Sequence, residues 1–301
     1  MKPSTIELSI CILGLNAGEY LQNCLASIFS SQIDIRFEVI YTDNHSSDRS
    51  LELTRKDYPG VILLENKENL GFARGYNPAI REAHGKFILL LNPDTIVEDR
   101  SIQTLVDYLV DHPETGIVGP KVLNSDGTFQ AQCKRGEARP WEVICYFTGL
   151  SRLFPHDARF SGYLQSHLDE NETHDVPAIS GSCMLIRKDV IDQIGVLDEA
   201  YFAYQEDTDY CVRARKGGWK VTYLPASQIT HIGGKGGAKS QPYKAIYEWH
   251  RSYLIYYRKH LARDYFFLFN WLYYAAMGVK LLISLTLNLF RREKHPGPKR
   301  D

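Results

Sequence analysis

Short apolar runs alternate with helical periods through the first 120 or so residues. Leu8–Leu13 (LSICIL) has the apolar character of a strand. Leu21, Cys24, Leu25, Ile28 and Phe29 then recur at three- and four-residue intervals, the spacing of one helix face. Phe37–Thr42 predicts a second strand, and DRSLELTRKDY a helix stopped by Pro59-Gly60. Val61–Glu65 predicts a third strand. A helix from about Phe72 to Ala83 closes before Gly85, and KFILLL supplies the fourth strand. A further helix, about Ser101 to Val110, ends ahead of Pro113, and GIVGPKV reads as a short fifth strand.

Strands that are apolar throughout, separated by helices, predict an α/β fold. The expected form is a Rossmann-like, mostly parallel central sheet with helices on both faces. In such sheets ligands bind beyond the carboxyl ends of the strands. Three polar clusters stand at such ends: Leu15-Asn16, Asp43-Asn44 and Asn92-Pro93-Asp94.

From about residue 124 to 176 no period shows. The pattern then resumes with SGSCMLIRK as a strand, DVIDQIG as a short helix, EDTDYCVRARKGG as a helix and KVTYLP as a strand. THIGGKGGAKS follows, whose glycines predict a mobile loop. Tyr243 to Ala262 reads as an aromatic-rich helix. Tyr265 to Phe290 is apolar with a single charge, Lys280.

Composition narrows the picture. The chain has 301 residues and is 44% hydrophobic, enough for one large domain with or without an appendage. A formal net charge of −1 gives no electrostatic footprint for nucleic acid, so any anion site must be local. The six cysteines (Cys11, Cys24, Cys133, Cys145, Cys183, Cys211) form no CxxC pair and read as reduced, buried thiols. The opening Met1-Lys2-Pro3 does not read as a signal peptide.

Four stretches carry candidate chemistry. Asp43 and Asn44 suit a polar ring or ribose, or they cap the next helix. Asp94 follows a buried strand behind a proline, where a carboxylate could hold the divalent ion of a diphosphate leaving group. The same residues also make an ordinary turn. Asp198, Glu199, Glu206, Asp207 and Asp209 crowd near Tyr201 and Phe202. Glu206 and Asp207 either favour a helix N-terminus or include a general base. His231 precedes the glycine loop with Lys235 and Lys239, as a metal ligand or a structural histidine.

The stretches SICILGLN, YTDNHSSDRS, NLGFARGYN, LLLNPDT, SGSCMLIRKDV, GVLDEAYFAYQEDTDYCVRARKGGW and THIGG occur in this order over about residues 6 to 260. Together they resemble the family 2 glycosyltransferases of GT-A fold, in the bacterial rhamnosyltransferase-like branch of polysaccharide and cell-wall assembly. The resemblance implies an inverting transfer from a nucleotide-sugar donor, dTDP-rhamnose foremost, to a glycan or lipid-linked acceptor. It implies that Asp207 is the base, supported by Glu206, and that Asp94 and His231 hold Mg²⁺ or Mn²⁺. Asp43 would meet the nucleotide base. Arg74 and Asn77 would lie near the ribose and phosphates, Gly181 and Ser182 at the sugar end, and Asn16, Asn44 and Asn92 elsewhere in the donor site. Asn92 stands where the family's DxD motif begins with an acid. Gly14-Leu15 stands where many members carry Thr-Tyr before Asn16. Other classes fare worse. A non-catalytic nucleotide-sugar-binding scaffold of the same fold would not need Asp94, Asp207 and His231 together. A nucleotidyltransferase would want a glycine-rich phosphate loop that residues 14–18 do not form.

The expected division is a catalytic domain over 1–242, with a nucleotide-binding half to about 122 and an acceptor half over 123–242. A helical, membrane-associated segment follows over 243–301. The apolar stretch is long enough to span a bilayer. Arg258, Lys259 and Arg263 precede it. The last eleven residues, Arg291–Asp301, hold five Lys/Arg against two acids. Lys280 is costly in a spanning helix but could snorkel from one lying in the interface. Packing in a core or a homo-oligomer is the remaining reading. The resemblance favours a cytoplasmic enzyme, peripheral to the inner face of the cell membrane.

Overall fold

The computed structural model describes residues 6–233 and 241–290. Lys235, Lys239 and the charges after Phe290 lie outside them. Strands β1 (Leu8–Gly14), β2 (Phe37–Asp43), β3 (Ile62–Glu65) and β4 (Phe87–Leu91) form one parallel half of a sheet. Helices α1 (Gly18–Ser30), α2 (Ser50–Asp57) and α3 (Ala73–Glu82) connect them. β1 and β4, at the centre, are buried almost throughout, whereas β3 at the edge is half-buried. In α1 the residues facing the sheet are Leu21, Cys24, Leu25 and Ile28. Phe29 departs from its expected place: it is 46% exposed and stacks on Tyr58 at 5.4 Å.

The second half of the sheet is mixed rather than parallel. After β5 (Thr95–Val97), α4 (Ser101–Asp111) and β6 (Thr115–Leu123), the chain makes a long excursion. The excursion contains β7 (Lys134–Arg135), α5 (Pro140–Thr148), α6 (Leu150–Leu153), α7 (Ala158–Ser161), β8 (His174–Asp175) and β9 (Ala178–Ile179). None of these runs beyond nine residues, so no period accumulates in the sequence. β10 (Cys183–Arg187) then enters antiparallel between β4 and β6. A strand reached through a long excursion needs no crossover helix, so nothing forces it parallel. The order is β3-β2-β1-β4-β10-β6-β11-β5, with β8 also on β11.

Two pairings matter for function. After α8 (Lys188–Ile194) and α9 (Glu206–Lys216), β11 (Lys220–His231) runs beyond the expected KVTYLP. Its end pairs antiparallel with β5, setting His231 opposite Thr95. The backbone N–H of Ile232 donates to the Asp94 carbonyl at 2.9 Å. The sheet edge thus joins two turns that are far apart in sequence.

The C-terminal helices α10 (Pro242–Tyr256) and α11 (Phe267–Phe290) are joined through a π-helical turn, Tyr257–Leu261. A second apolar cluster holds them on the sheet domain: Tyr253, Tyr256, Tyr257, Leu261 and Met277 pack with Ala138, Tyr201 and Val212. An ion cluster around the buried Asp209 reinforces the joint. Asp209 accepts from His260 Nε2 at 2.6 Å and Arg213 Nε at 2.8 Å, and lies 2.7 Å from Lys259 Nζ.

Candidate active site

A cavity of about 530 Å³ opens where the parallel half meets the mixed half. On its first wall, Asn92-Pro93-Asp94 turns from β4 into β5. The turn is fixed by Asn92 N–H donating to Ser182 O at 2.9 Å and Thr95 Oγ1 donating to Asn92 O at 2.7 Å. Asp94 Oδ1 lies 3.2 Å from His231 Nε2, and both side chains are nearly buried. Gln130 orients the imidazole. Its amide N–H donates to Asn124 Oδ1 at 2.9 Å, so its Oε1, 2.9 Å from His231 Nδ1, accepts a hydrogen bond from Nδ1–H. In the neutral ring Nε2 then carries a lone pair, also approached by Asn92 Nδ2 at 3.3 Å. That contact closes either through a proton on Nε2, as an imidazolium–carboxylate pair, or through a cation. Of the two expected ions, a carboxylate oxygen with an imidazole nitrogen suits Mn²⁺ better than Mg²⁺, a harder ion that takes oxygen ligands. Among the described residues no group of three or more His, Cys, Asp or Glu is placed to hold a metal ion. Phosphate oxygens and water would therefore have to complete the shell.

The opposite wall is the start of α9. Tyr204 and Gln205 both adopt left-handed backbone, with φ of 70° and 64°. Such residues cost about 1–3 kcal/mol each and persist where surroundings hold them. Here Phe72 N–H donates to Phe202 O at 2.6 Å and Ser252 Oγ to Ala203 O at 2.8 Å. Gly71, with φ of 78°, allows the first contact, since a Cβ there would lie 2.2 Å from Phe202 O. The strained turn aims Glu206 and Asp207 at the cavity.

The two acids differ in their partners. Asp207 forms an ion pair with Arg135 and accepts from Gly181 N–H at 2.9 Å and Thr208 N–H at 2.7 Å. Glu206 Oε2 is buried without a partner among the described residues. Burial, then the charge of Asp207, pushes the Glu206 carboxyl up to about 8. Both act against the ionised form. Arg135 Nε and Gln205 Oε1 are likewise buried and bare. Three orphaned polar atoms on cavity residues mark a pocket shaped for a polar ligand.

The other sequence candidates divide. Asn92, Gly181 and Ser182 line the cavity with Asp94, Glu206, Asp207 and His231. Asn44 also reaches it, but its amide is spent on Asn66, Asn69, Leu70 and Gly71, pinning the loop before α3. Asp43 is buried behind the lining and accepts from Tyr41 Oη at 3.0 Å and Ser46 N–H at 2.8 Å. Asn16 is exposed and ties the first loop to Ser46 and Ser47. Arg74 and Asn77 do not line the cavity. Arg74 points at Glu199 from the surface, and Asn77 is fully buried, bridging α3 to Leu197 and Glu199. Gly14 is explained too: a Cβ there would lie 2.6 Å from Tyr41 Oη.

Several lining residues escaped the sequence reading. Arg135 and Tyr163 come from the stretch without a period. Lys244, Glu248, Trp249 and Tyr253 come from α10. The cavity thus crosses the expected boundary at residue 242. Tyr163 and Tyr253 hydroxyls bond to each other beside Arg135. The one signal available was the aromatic spacing of Trp249 and Tyr253, which stack at 4.0 Å.

A half-parallel, half-mixed sheet with an acidic turn after its central strand and an acid pair across the cavity is the GT-A architecture. Solved GT-A structures share it at low identity. A mannosyltransferase from Pyrobaculum calidifontis, in complex with GDP-Man and Mn²⁺, superposes with a TM-score of 0.56 at 16% identity over 84% of this chain and 64% of that one. GalNAc-T7 with UDP, GalNAc and Mn²⁺ gives 0.60 at 15% identity, over 85% of this chain and 48% of that one. The chain belongs to glycosyl transferase family 2, whose family model matches residues 9–195. It is a glycosyltransferase. It is similar to the N-acetylglucosaminyl-diphospho-decaprenol L-rhamnosyltransferase of Mycobacterium tuberculosis, 28% identical over 75% of this chain and 76% of that one. It is also similar to the rhamnosyltransferase WbbL of Escherichia coli, 23% identical over 74% and 82%.

Proposed function

We propose that this enzyme transfers L-rhamnose, with inversion, from dTDP-rhamnose to a glycan or lipid-linked acceptor during cell-surface polysaccharide synthesis. The observation that carries the reading is the single cavity lined on one wall by Asp94 and His231 and on the other by Glu206 and Asp207. The two rhamnosyltransferase relatives support the sugar, and the polyprenyl diphosphate in one relative's name supports a lipid-linked acceptor.

In this reading Asp94 and His231 Nε2 would hold a divalent cation beside the donor diphosphate, which would supply positive charge against the leaving group. Asn92 and Ser182 place the phosphates and sugar on that wall. Asp207 removes the proton from the acceptor hydroxyl as its oxygen attacks the anomeric carbon opposite the diphosphate. Arg135 and Gly181 N–H hold the Asp207 carboxylate in one orientation. Protonated Glu206 donates to a hydroxyl of the bound sugars, which satisfies its orphaned oxygen. The enzyme works in the cytoplasm, peripheral to the inner membrane face, through its C-terminal segment.

The test is a transfer assay with a panel of dTDP-, UDP- and GDP-sugars plus Mn²⁺, with NMR of the product's anomeric configuration. Transfer from dTDP-rhamnose with inversion is the expected result. Transfer only from another donor overturns the sugar assignment, and retention overturns the single displacement.

A further inference from the structure

Helix α5 is amphipathic the wrong way round for a soluble protein. Trp141, Ile144 and Phe147 recur at three-residue spacing and are 52%, 49% and 53% exposed, while Glu142 and Tyr146 on the opposite side are half-buried. Leu153 and Phe154, at the end of α6, continue the apolar surface. This face meets α11 at one junction. Phe147 packs edge-on against Trp249 at 5.8 Å. Lys280 Nζ lies 4.7 Å from the centre of the Phe147 ring, 3.9 Å from that of Trp249, and 3.3 Å from His250 Nε2.

Lys280 therefore points into the protein and does not snorkel outward, which reverses the expectation for the one charge in the tail. Asn270, Tyr273 and Lys280 hold α11 lengthwise against α10 and its π-helical turn. The rest of α11 is bare and apolar: Trp271 is 71% exposed, Leu282 65% and Phe290 79%. A soluble monomer seldom shows so continuous an apolar surface. Exposed arginines flank these elements in the chain, Arg152 on α6 with Arg258 and Arg263 ahead of α11, against one exposed acid there, Asp264. Apolar rings and leucines flanked by arginine fit a bilayer carrying anionic headgroups.

We propose that α5–α6 is a second membrane-contacting element, which with α11 seats the enzyme on an anionic lipid surface. Trp249, shared by the junction and the cavity lining, brings the acceptor end of the cavity to that surface. The inference rests on the membrane reading of the C-terminal segment and extends it to a region that the sequence left featureless. It also sets α11 along the bilayer rather than across it, because a perpendicular helix would break the Lys280 contacts with Trp249 and His250.

All six native thiols are buried, so an added surface cysteine can be labelled alone. Ile144→Cys and Leu282→Cys versions of the full chain, each carrying a nitrobenzoxadiazole label, are mixed with phosphatidylcholine–phosphatidylglycerol vesicles containing doxyl-labelled lipid. Strong quenching at both positions is expected. Ile144→Glu should lower partition onto the vesicles by about tenfold, the effect of withdrawing one large aliphatic side chain from the interface. Quenching at position 282 alone overturns the role of α5–α6 and leaves the membrane reading intact. Quenching at neither overturns both. Concentration-dependent dimerisation without vesicles, abolished by Ile144→Glu with no change in partition, would assign the face to a second copy and overturn the proposal.

Discussion

Two buried acids stand three residues apart on α9, and they behave as opposites. Glu206, at the cavity end, has an oxygen without a partner, and burial drives its carboxyl up to about 8. Asp209, at the flank that meets the C-terminal helices, is also pushed up by burial. Hydrogen bonds from His260 and Lys259, with the charge of Arg213, outweigh that and bring it down to about 2. The difference lies in company rather than depth. Asp209 is scaffolding, with its charge answered by the protein itself. Glu206 is left unanswered in a pocket, the condition expected of a group that awaits a ligand. Asp207, between them in sequence, shares both characters: it faces the cavity and is held by Arg135.

Substitutions can break this contrast, in decreasing order of effect. Asp207→Asn should lower kcat by about 10²–10⁴-fold while donor affinity, read by calorimetry, holds. Full transfer in this variant would remove Asp207 from the role of base. Asp209→Ala should cost about 1–3 kcal/mol of stability in urea unfolding, because it leaves the buried His260 ring and Tyr201 hydroxyl without their acceptor, while Lys259 keeps Asp198 and Arg213 keeps two carbonyls. A loss under about 1 kcal/mol would mean the cluster is not the joint.

Glu206→Gln should act through pH. Below the ordinary carboxyl range, folded and unfolded chains both hold the proton. Between about 4.5 and 8 the unfolded chain ionises while the folded one does not, so rising pH favours unfolding. The variant should lose that slope in a Tm-against-pH series and melt higher than the parent near pH 8. An unchanged slope would show that Glu206 is ionised when buried. Arg135→Gln should lower kcat by about tenfold with little change in donor KM, since it loosens an oriented group and removes none. Arg74→Ala, a surface change outside the cavity, should stay within about 0.5 kcal/mol in stability and leave donor affinity unaltered. A large drop in affinity would put Arg74 back in the donor site.

The parallel half of the sheet was legible because each strand and helix is long enough to show its period, and the ends of those strands held the polar turns. Legibility did not extend to what the turns do. Asp43 and Asn44 stand at the end of β2 and Asn77 inside α3, and their hydrogen bonds go to the protein's own loops. A one-dimensional reading sees a polar side chain but not the donor already facing it.

What the sequence determined by itself is the alternation that builds the sheet, the Asp94 turn after a core strand, the acid pair before α9 and the apolar length of α11. These depend on neighbours within a few residues, where periodicity and turn chemistry act. The tertiary structure alone decided that His231 meets Asp94, that Arg135 takes Asp207 and leaves Glu206 bare, and that Lys280 turns inward onto Trp249. Each depends on strand pairing or helix docking across tens to hundreds of residues, and a carboxylate's charge state depends on the burial and partners found there.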